Sequence, residues 1–374
     1  MDMYCELPMK YVENDLVRIA KRENNTKRGY LVVNPLQGKH IPVSPSKALQ
    51  LFQDLADTFK EKYKEESLLL VGFAETATAI GAQAAISVGA RYIQTTREVI
   101  PGVEYLFFSE EHSHATEQKL VKDDIDAVAD EIDRIIFIED EVTTGKTILN
   151  IISILERQYS GKFKFSVASI LNGMNEESLN LYREREIPLH YLVKTDHSTY
   201  EEKARKFAGE GEYYAPVESE AAAYSYIEVN GALNARRLVK SKQYLQGCRE
   251  LWEKIQENID IFTNKKVLVI GTEETMFPAL FVGARLEALG NKVATHSTTR
   301  SPIAGSSEEG YPLHTRYQLK SLYDKNRKTF LYNIGCYDEV LVVTDAPKEE
   351  KEGEKTLINA LSERNKKITL VRWY

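Results

Sequence analysis

The stretch Arg134-Ile135-Ile136-Phe137-Ile138-Glu139-Asp140-Glu141-Val142-Thr143-Thr144-Gly145-Lys146-Thr147 concentrates the chemistry of this chain. An apolar strand runs into adjacent carboxylates, a short Thr/Gly turn follows, and a helical pattern opens at Lys146-Thr147. Threonine hydroxyls and the backbone N–H groups of a helix N-terminus bind phosphate, and a glycine lets the backbone come close to it. Carboxylates one turn away accept hydrogen bonds from ribose hydroxyls. Together these residues suit a sugar phosphate. A Walker-type loop fits less well. The glycine that loop needs five residues before Gly145 is Asp140 here, and the carboxylates would repel a triphosphate. A capped helix behind an acidic strand end explains the threonines but not the carboxylate pair beside them.

The elements that must position these residues follow from periodicity and turn signals. Residues 16–20 and 30–34 are β-rich around a polar turn at Asn24-Asn25 and predict a hairpin. Residues 40–45 read as a loop, and a helix runs from about Ser46 to Lys64 with the serine as N-cap. Apolar runs then alternate with helical patterns. Strands are predicted at 68–72, 91–96, 135–138 and 163–171, and helices at 77–88 and 147–158. This alternation predicts an α/β domain with a parallel sheet and crossover helices. Such sheets hold ligands at the C-terminal edge, where the motif falls. The chain turns polar over 198–223. The organisation expected is a first domain over 1–230, a helical connector over 231–260 built on a helix at 233–258, and a second α/β domain over 261–374. The Glu/Lys run 348–355 reads as a solvated loop.

The second domain looks like a degenerate copy of the first. Strand 68–71 leads into Gly72-Phe73-Ala74-Glu75-Thr76, and strand 267–270 into Gly271-Thr272-Glu273-Glu274-Thr275. The next strands end in Thr95-Thr96-Arg97 and Thr298-Thr299-Arg300. Later ones end at Asp140 and Asp345, before helices carrying Lys146-Thr147 and Lys355-Thr356. The offset drifts only from 199 residues (Gly72 to Gly271) to 209 (Thr147 to Thr356). Landmarks in one order at a slowly drifting offset predict an internal duplication. Where Thr143-Thr144-Gly145 stands in the first copy, the second has Ala346-Pro347. Proline removes an amide donor, so this copy is not expected to bind the same phosphate.

Composition narrows the function classes. A chain of 374 residues holds two or three domains, and a net charge of −7 argues against nucleic acid as the main partner. No apolar run reaches membrane-spanning length, and the N-terminus has no signal-peptide core. Cys5, Cys248 and Cys336 form no metal-binding spacing, which fits a reducing, cytoplasmic setting. What is left is an α/β enzyme or a small-molecule-binding regulator.

The motif around Glu139 and Asp140 resembles the phosphoribosyl pyrophosphate (PRPP) signature of type I phosphoribosyltransferases. Nearly the whole chain resembles a bacterial subgroup of orotate-type members encoded in tellurite-resistance and stress operons, whose C-terminal domain carries a Thr-Arg-Ser-Pro motif. Thr299-Arg300-Ser301-Pro302, Ser109-Glu110-Glu111-His112-Ser113-His114-Ala115-Thr116 and Phe330-Leu331-Tyr332-Asn333 carry that likeness. The resemblance implies a type I phosphoribosyltransferase-like parallel sheet flanked by helices. It further implies an enzyme that displaces pyrophosphate from PRPP with a nitrogen acceptor such as a nucleobase. Glu139 and Asp140 would bind the ribose hydroxyls beside a Mg²⁺ ion, and Thr143, Thr144, Gly145, Lys146 and Thr147 would cradle the 5′-phosphate. Glu75 and Thr76 would lie at the pyrophosphate, where Glu75 is awkward unless it holds the metal through water or binds an acceptor amine. Arg97 would neutralise the leaving group. A lid over 100–118 would bring His112 and His114 to the pyrophosphate, with Lys119 and Lys122 as further lid cations. Arg300 and Ser301 would contact substrate if the second unit caps the first site. A regulator that binds PRPP or a nucleotide without turnover stays open, as do the acceptor and a homodimer.

Overall fold

The computed structural model describes residues 10–23, 28–108, 118–216, 220–260 and 262–374. Its contacts divide the chain into two compact units. The first is built from Gln50–Asp196 and Leu233–Gln246, the second from Asn14–Leu49, His197–Ala232 and Gly247–Tyr374. The contiguous division expected from sequence therefore does not follow the contacts. The hairpin of β1 (Arg18–Lys21) and β2 (Tyr30–Val33) forms as expected, but it belongs to the second unit. There Ala20 and Val33 are buried with Ile303, Leu313, Phe330 and Tyr332, an apolar surface that a hairpin cannot cover by itself.

In the first unit, β3 (Leu68–Gly72), β4 (Arg91–Gln94), β5 (Tyr105–Phe108), β6 (Gln118–Val121), β7 (Arg134–Val142), β8 (Lys164–Asn172) and β9 (Leu189–Lys194) follow in order. The second unit takes β10 (Glu212–Tyr214) and β11 (Ser225–Val229), and β12 (Val239–Lys240) returns to the first. The first sheet has the order β12-β4-β3-β7-β8-β9, parallel throughout except for the β12 edge. Leu69, Leu70, Val71 and Ile135 through Ile138 have no exposed surface, as continuous apolar strands covered on both faces should not. The connector is shorter than expected: the helix spans Ser241–Asn258, and residues 239–240 pair with β4. The cause is Asp124, whose carboxylate accepts two bonds from Arg237 at 2.7 Å and one from the Leu238 N–H at 2.9 Å, drawing this segment to the sheet edge.

The second unit continues with β13 (Lys266–Gly271), β14 (Lys292–Ser297), β15 (Thr315–Lys320), β16 (Lys328–Tyr332), β17 (Glu339–Thr344) and β18 (Ile368–Trp373). Its main sheet, β11-β18-β17-β13-β14, is wholly parallel. The core order β14-β13-β17-β18 repeats β4-β3-β7-β8, and the antiparallel hairpin β15–β16 stands where β5–β6 stands in the first unit. Gly72 pairs with Ile138 and Gly271 with Val343, so Asp140 and Asp345 hold the same place two residues further on. The duplication expected from the offsets is thus a duplication of topology and register. The Glu/Lys run is not a loop throughout, because the helix Lys351–Ser362 begins inside it. Glu352 and Glu354 occupy its first turn, where the helix dipole favours anions, and Leu357 and Leu361 anchor its buried face.

Candidate active site

Strand β7 is fully buried through Ile138 and half-buried from Glu139 to Glu141, so the acidic residues emerge where the sheet's C-terminal edge opens. Pairing with β8 continues past them to Val142, opposite Asn172. The Thr76 hydroxyl donates to Asp140 Oδ1 at 2.9 Å, joining the loop after β3 to the acidic pair. Loss of surrounding water, and then the charge of Glu141, push the Asp140 carboxyl up to about 6. Burial, and to a smaller degree the charge of Glu139, push the Tyr182 hydroxyl above its ordinary value.

Thr143 and Thr144 are half-buried, and Gly145 closes the turn at φ +70°, a left-handed conformation that favours glycine. Helix Lys146–Tyr159 starts directly after it. A side chain at Gly145 has no room, since a Cβ would lie 2.5 Å from the Tyr182 hydroxyl and 2.6 Å from Met174 Cε. Tyr182 is buried and donates to the Gly145 carbonyl at 2.7 Å, and the Leu149 N–H donates to the same oxygen at 3.0 Å. The Lys146 N–H reaches Thr144 Oγ1 at 3.3 Å. Lys146 is exposed and Thr147 half-buried. This is a preformed turn at a helix N-terminus, the geometry that takes a phosphate.

The loop after β3 is tightly held. Glu75 is buried, and the Ala74–Glu75 peptide bond is cis. The Ala74 N–H donates to Thr95 Oγ1, and the Gln118 amide bridges Thr95 and the Ala74 carbonyl. Arg97 is half-buried past the end of β4, and Lys119 Nζ lies 3.5 Å from its carbonyl and 5.5 Å from the Tyr105 ring. Lys122 is committed elsewhere, to Asp126 at 2.7 Å and Glu104 at 3.4 Å. His112 and His114 lie outside the described residues. The structure thus gathers Glu75, Thr76, Glu139, Asp140 and Thr143 through Thr147 at one edge of the first sheet. Gln118 and Tyr182 join the site through the fold alone. No local motif marks either, because both act across long sequence separations. Thr95 was signalled by the repeat Thr95-Thr96/Thr298-Thr299.

The second unit reproduces this hydrogen-bond frame. The Thr298 N–H meets the Gly271 carbonyl as Thr95 meets Gly72, the Glu273 N–H meets Thr298 Oγ1 as Ala74 meets Thr95, and Thr275 donates to Asp345 as Thr76 does to Asp140. What surrounds the frame differs. Arg300 donates to Glu273 at 2.8 Å and to Glu274 at 2.9 Å, Arg327 donates to Glu273 at 2.9 Å, and the Tyr323 hydroxyl donates to Asp345 at 2.6 Å. The Ser301 N–H donates to Thr299 Oγ1 at 3.2 Å, and its carbonyl accepts from Tyr332 at 2.7 Å. Arg300 is therefore an internal ion-pair partner, and Ser301 a turn residue, of the second unit. At the site of the phosphate loop, Arg372 Nη1 donates to the carbonyls of Ala346 and Pro347. Arg372 replaces Ser169 in register, since it pairs with Thr344 where Ser169 pairs with Glu139. This loop offers carbonyl oxygens to a cation, the reverse of a phosphate cradle.

A parallel sheet with a Thr/Gly turn and an acidic pair at its C-terminal edge defines an open α/β domain of the kind that binds ligands at that edge. Residues 16–197 match the family model described as phosphoribosyl transferase, and residues 237–361 match that of the TRSP domain, which lies C-terminal to that family's domain. The two matches lie in that order along the chain, the phosphoribosyl transferase match before the TRSP match. Among solved structures, adenine phosphoribosyltransferase from Rhodothermus marinus is 14% identical over 49% of this chain and 96% of its own, with a TM-score of 0.34. The Trypanosoma brucei adenine enzyme, in complex with AMP, pyrophosphate and ribose-5-phosphate, is 16% identical over 48% of this chain and 76% of its own, with a TM-score of 0.34. Orotate phosphoribosyltransferase from Aeropyrum pernix is 14% identical over 51% of this chain and 93% of its own, with a TM-score of 0.31. No curated protein matches the chain. No described helix is long and apolar enough to cross a membrane.

Proposed function

We propose that the first unit transfers a phosphoribosyl group from PRPP to a nitrogen acceptor such as a nucleobase, with Mg²⁺. The acceptor nitrogen forms the bond to C1 as the C1–oxygen bond to pyrophosphate breaks, the pyrophosphate leaves with the electron pair, and the nitrogen gives up its proton. The transition state resembles an oxocarbenium ion, so the protein's task is placing charge and excluding water. The observation that carries the reading is the pairing of a phosphate turn at Thr143 through Thr147 with the half-buried carboxylates Glu139 and Asp140 one turn before it. In this reading Thr143 through Thr147 hold the 5′-phosphate, Glu139 and Asp140 orient the ribose hydroxyls, and Glu75 and Thr76 sit at the pyrophosphate. Arg97 offsets the charge of the leaving group.

The donor set suits a hard cation. Glu139 and Asp140 offer carboxylate oxygens, and among the described residues no group of three or more His, Cys, Asp or Glu gathers to form a complete metal cage. Mg²⁺ is bound in that manner, through one or two carboxylates with substrate oxygens and water completing the shell. Bound there, it would neutralise the developing pyrophosphate charge. The cytoplasmic setting read from the thiols, and the stress-operon setting implied by the resemblance, are part of the same proposal.

Calorimetry with PRPP and Mg²⁺ tests the reading by comparing wild type with the double variant Glu139→Gln, Asp140→Asn. Binding by wild type that disappears in the double variant supports it, and pyrophosphate release in a screen of nitrogen acceptors completes it. A folded wild type without affinity for PRPP overturns it. Binding with no turnover on any acceptor favours a PRPP-sensing regulator instead.

A further inference from the structure

The loop after β3 is held by a closed ring of three hydrogen bonds. The Ala74 N–H donates to Thr95 Oγ1 at 2.8 Å, the Thr95 hydroxyl donates to Gln118 Oε1 at 2.7 Å, and Gln118 Nε2 donates to the Ala74 carbonyl at 2.7 Å. All three residues are buried. The ring has one sense: the Ala74 carbonyl requires the amide NH₂ and the Thr95 hydroxyl requires the amide oxygen. Gln118 opens β6 opposite Phe108, so the ring ties the loop end of the β5–β6 hairpin to both polar groups of one loop residue.

The second unit keeps the bond from the Glu273 N–H to Thr298 Oγ1, at 3.0 Å, but has Thr329 where the first has Gln118. Its Glu273 carbonyl, the counterpart of Ala74's, takes a donor from the buried Lys39 Nζ at 3.1 Å. One carbonyl is thus held in both units by donors from unrelated parts of the chain. An unpaired buried carbonyl costs stability, which explains why some donor is present. That two solutions fix the same peptide at the same edge points to its orientation as the property maintained. We propose that Gln118 is a positioning residue for the leaving pyrophosphate. It sets the Ala74 peptide, and through it the backbone at Glu75 and Thr76, without itself touching substrate. The inference rests on the phosphoribosyltransferase reading, in which this loop receives the pyrophosphate.

The test is calorimetry on the full chain in Mg²⁺ buffer with pyrophosphate, ribose 5-phosphate and PRPP, for wild type, Gln118→Leu and Gln118→Glu. Gln118→Leu is expected to weaken pyrophosphate and PRPP by about tenfold, the scale of one lost hydrogen bond. Ribose 5-phosphate, held by the turn at Thr143 through Thr147, is expected to change by less than about twofold. In Gln118→Glu the new carboxyl still accepts from Thr95. Ionised, it sets a second acceptor against the Ala74 carbonyl; protonated, it donates. Its pyrophosphate affinity relative to wild type should therefore recover as the pH falls from about 8 to about 6, where a buried carboxyl takes up its proton. Should Gln118→Leu fail to fold, the pH response of the near-isosteric Gln118→Glu decides. Unchanged pyrophosphate affinity, or an equal loss for ribose 5-phosphate, overturns the positioning role alone. A wild type that binds none of the three ligands overturns the phosphoribosyltransferase reading as well.

Discussion

A carboxylate at the end of a buried strand gives up much of its water, and Asp140, which in the proposed reading meets ribose hydroxyls, bears that cost. The unfolded chain ionises this group at its ordinary value near 3.8, the folded chain at about 6. An acid whose pKa rises on folding lowers stability once ionised. Stability therefore falls as the pH climbs between those values, and the cost, about 3 kcal/mol at most, is fully present above the upper one. Asp140→Asn keeps an acceptor for Thr76 and removes the charge. It is expected to raise the melting temperature by a few degrees at neutral pH while abolishing PRPP binding, a pairing that thermal melts and calorimetry on one sample can read. In the proposed reading, wild-type affinity for PRPP should drop as the pH is lowered through about 6, because the protonated carboxyl loses the charge that strengthens hydrogen bonds from ribose hydroxyls. Tyr182 makes a separate demand on the same site. Tyr182→Phe removes one of the two donors on the Gly145 carbonyl and leaves that of Leu149. The variant should lose about 1 kcal/mol of stability and weaken ribose 5-phosphate several-fold. Gly145→Ala, which meets both the positive φ and the Tyr182 hydroxyl, should weaken it further.

Elements were legible where one local signal decided them. The apolar runs of β3, β7 and β13 could only be buried strands, and the Thr/Gly turn after β7 announced both its loop and its helix. Sequence misled where a distant partner decided. Helical periodicity before Ser241 is overruled by Asp124, more than a hundred residues away, and the charged run before Thr356 hides a helix whose anchors, Leu357 and Leu361, come later. The site shows the same split: the phosphate turn and acidic pair are contiguous and readable, whereas Gln118 and Tyr182 reach the loops only through the fold. Asp124→Ala tests the first of these causes. With Arg237 and the Leu238 N–H deprived of their acceptor, the β12 edge should detach. The expected cost is about 2 kcal/mol in urea denaturation, with faster amide hydrogen exchange confined to residues 237–240 and their partners on β4.

At the scale of the whole molecule, one frame is built twice and furnished differently. Both copies keep the strand order, the threonine that receives the loop N–H, and the threonine that donates to the strand-end aspartate. The first copy adds a glycine turn at a helix N-terminus. The second replaces it with Ala346-Pro347, aims those carbonyls at Arg372, and couples Glu273 and Glu274 to Arg300 and Arg327. Arg300 and Glu273 are nearly devoid of exposed side-chain surface, so removing either charge leaves the other buried and uncompensated. Arg300→Ala should thus cost about 3 kcal/mol or more in denaturation experiments, as a buried structural pair does. It should leave the dissociation constant for PRPP within about twofold, provided the variant folds. The companion expectation is a stoichiometry of one PRPP per chain, abolished by Asp140→Asn and untouched by Asp345→Asn. Calorimetry returning two equivalent sites, or a PRPP affinity that falls with Asp345→Asn, would mean that the second frame still recognises a sugar phosphate despite Pro347. A single site tied to Asp140 alone fits a duplication in which one copy kept the ligand and the other turned the same hydrogen-bond frame to holding its own charges.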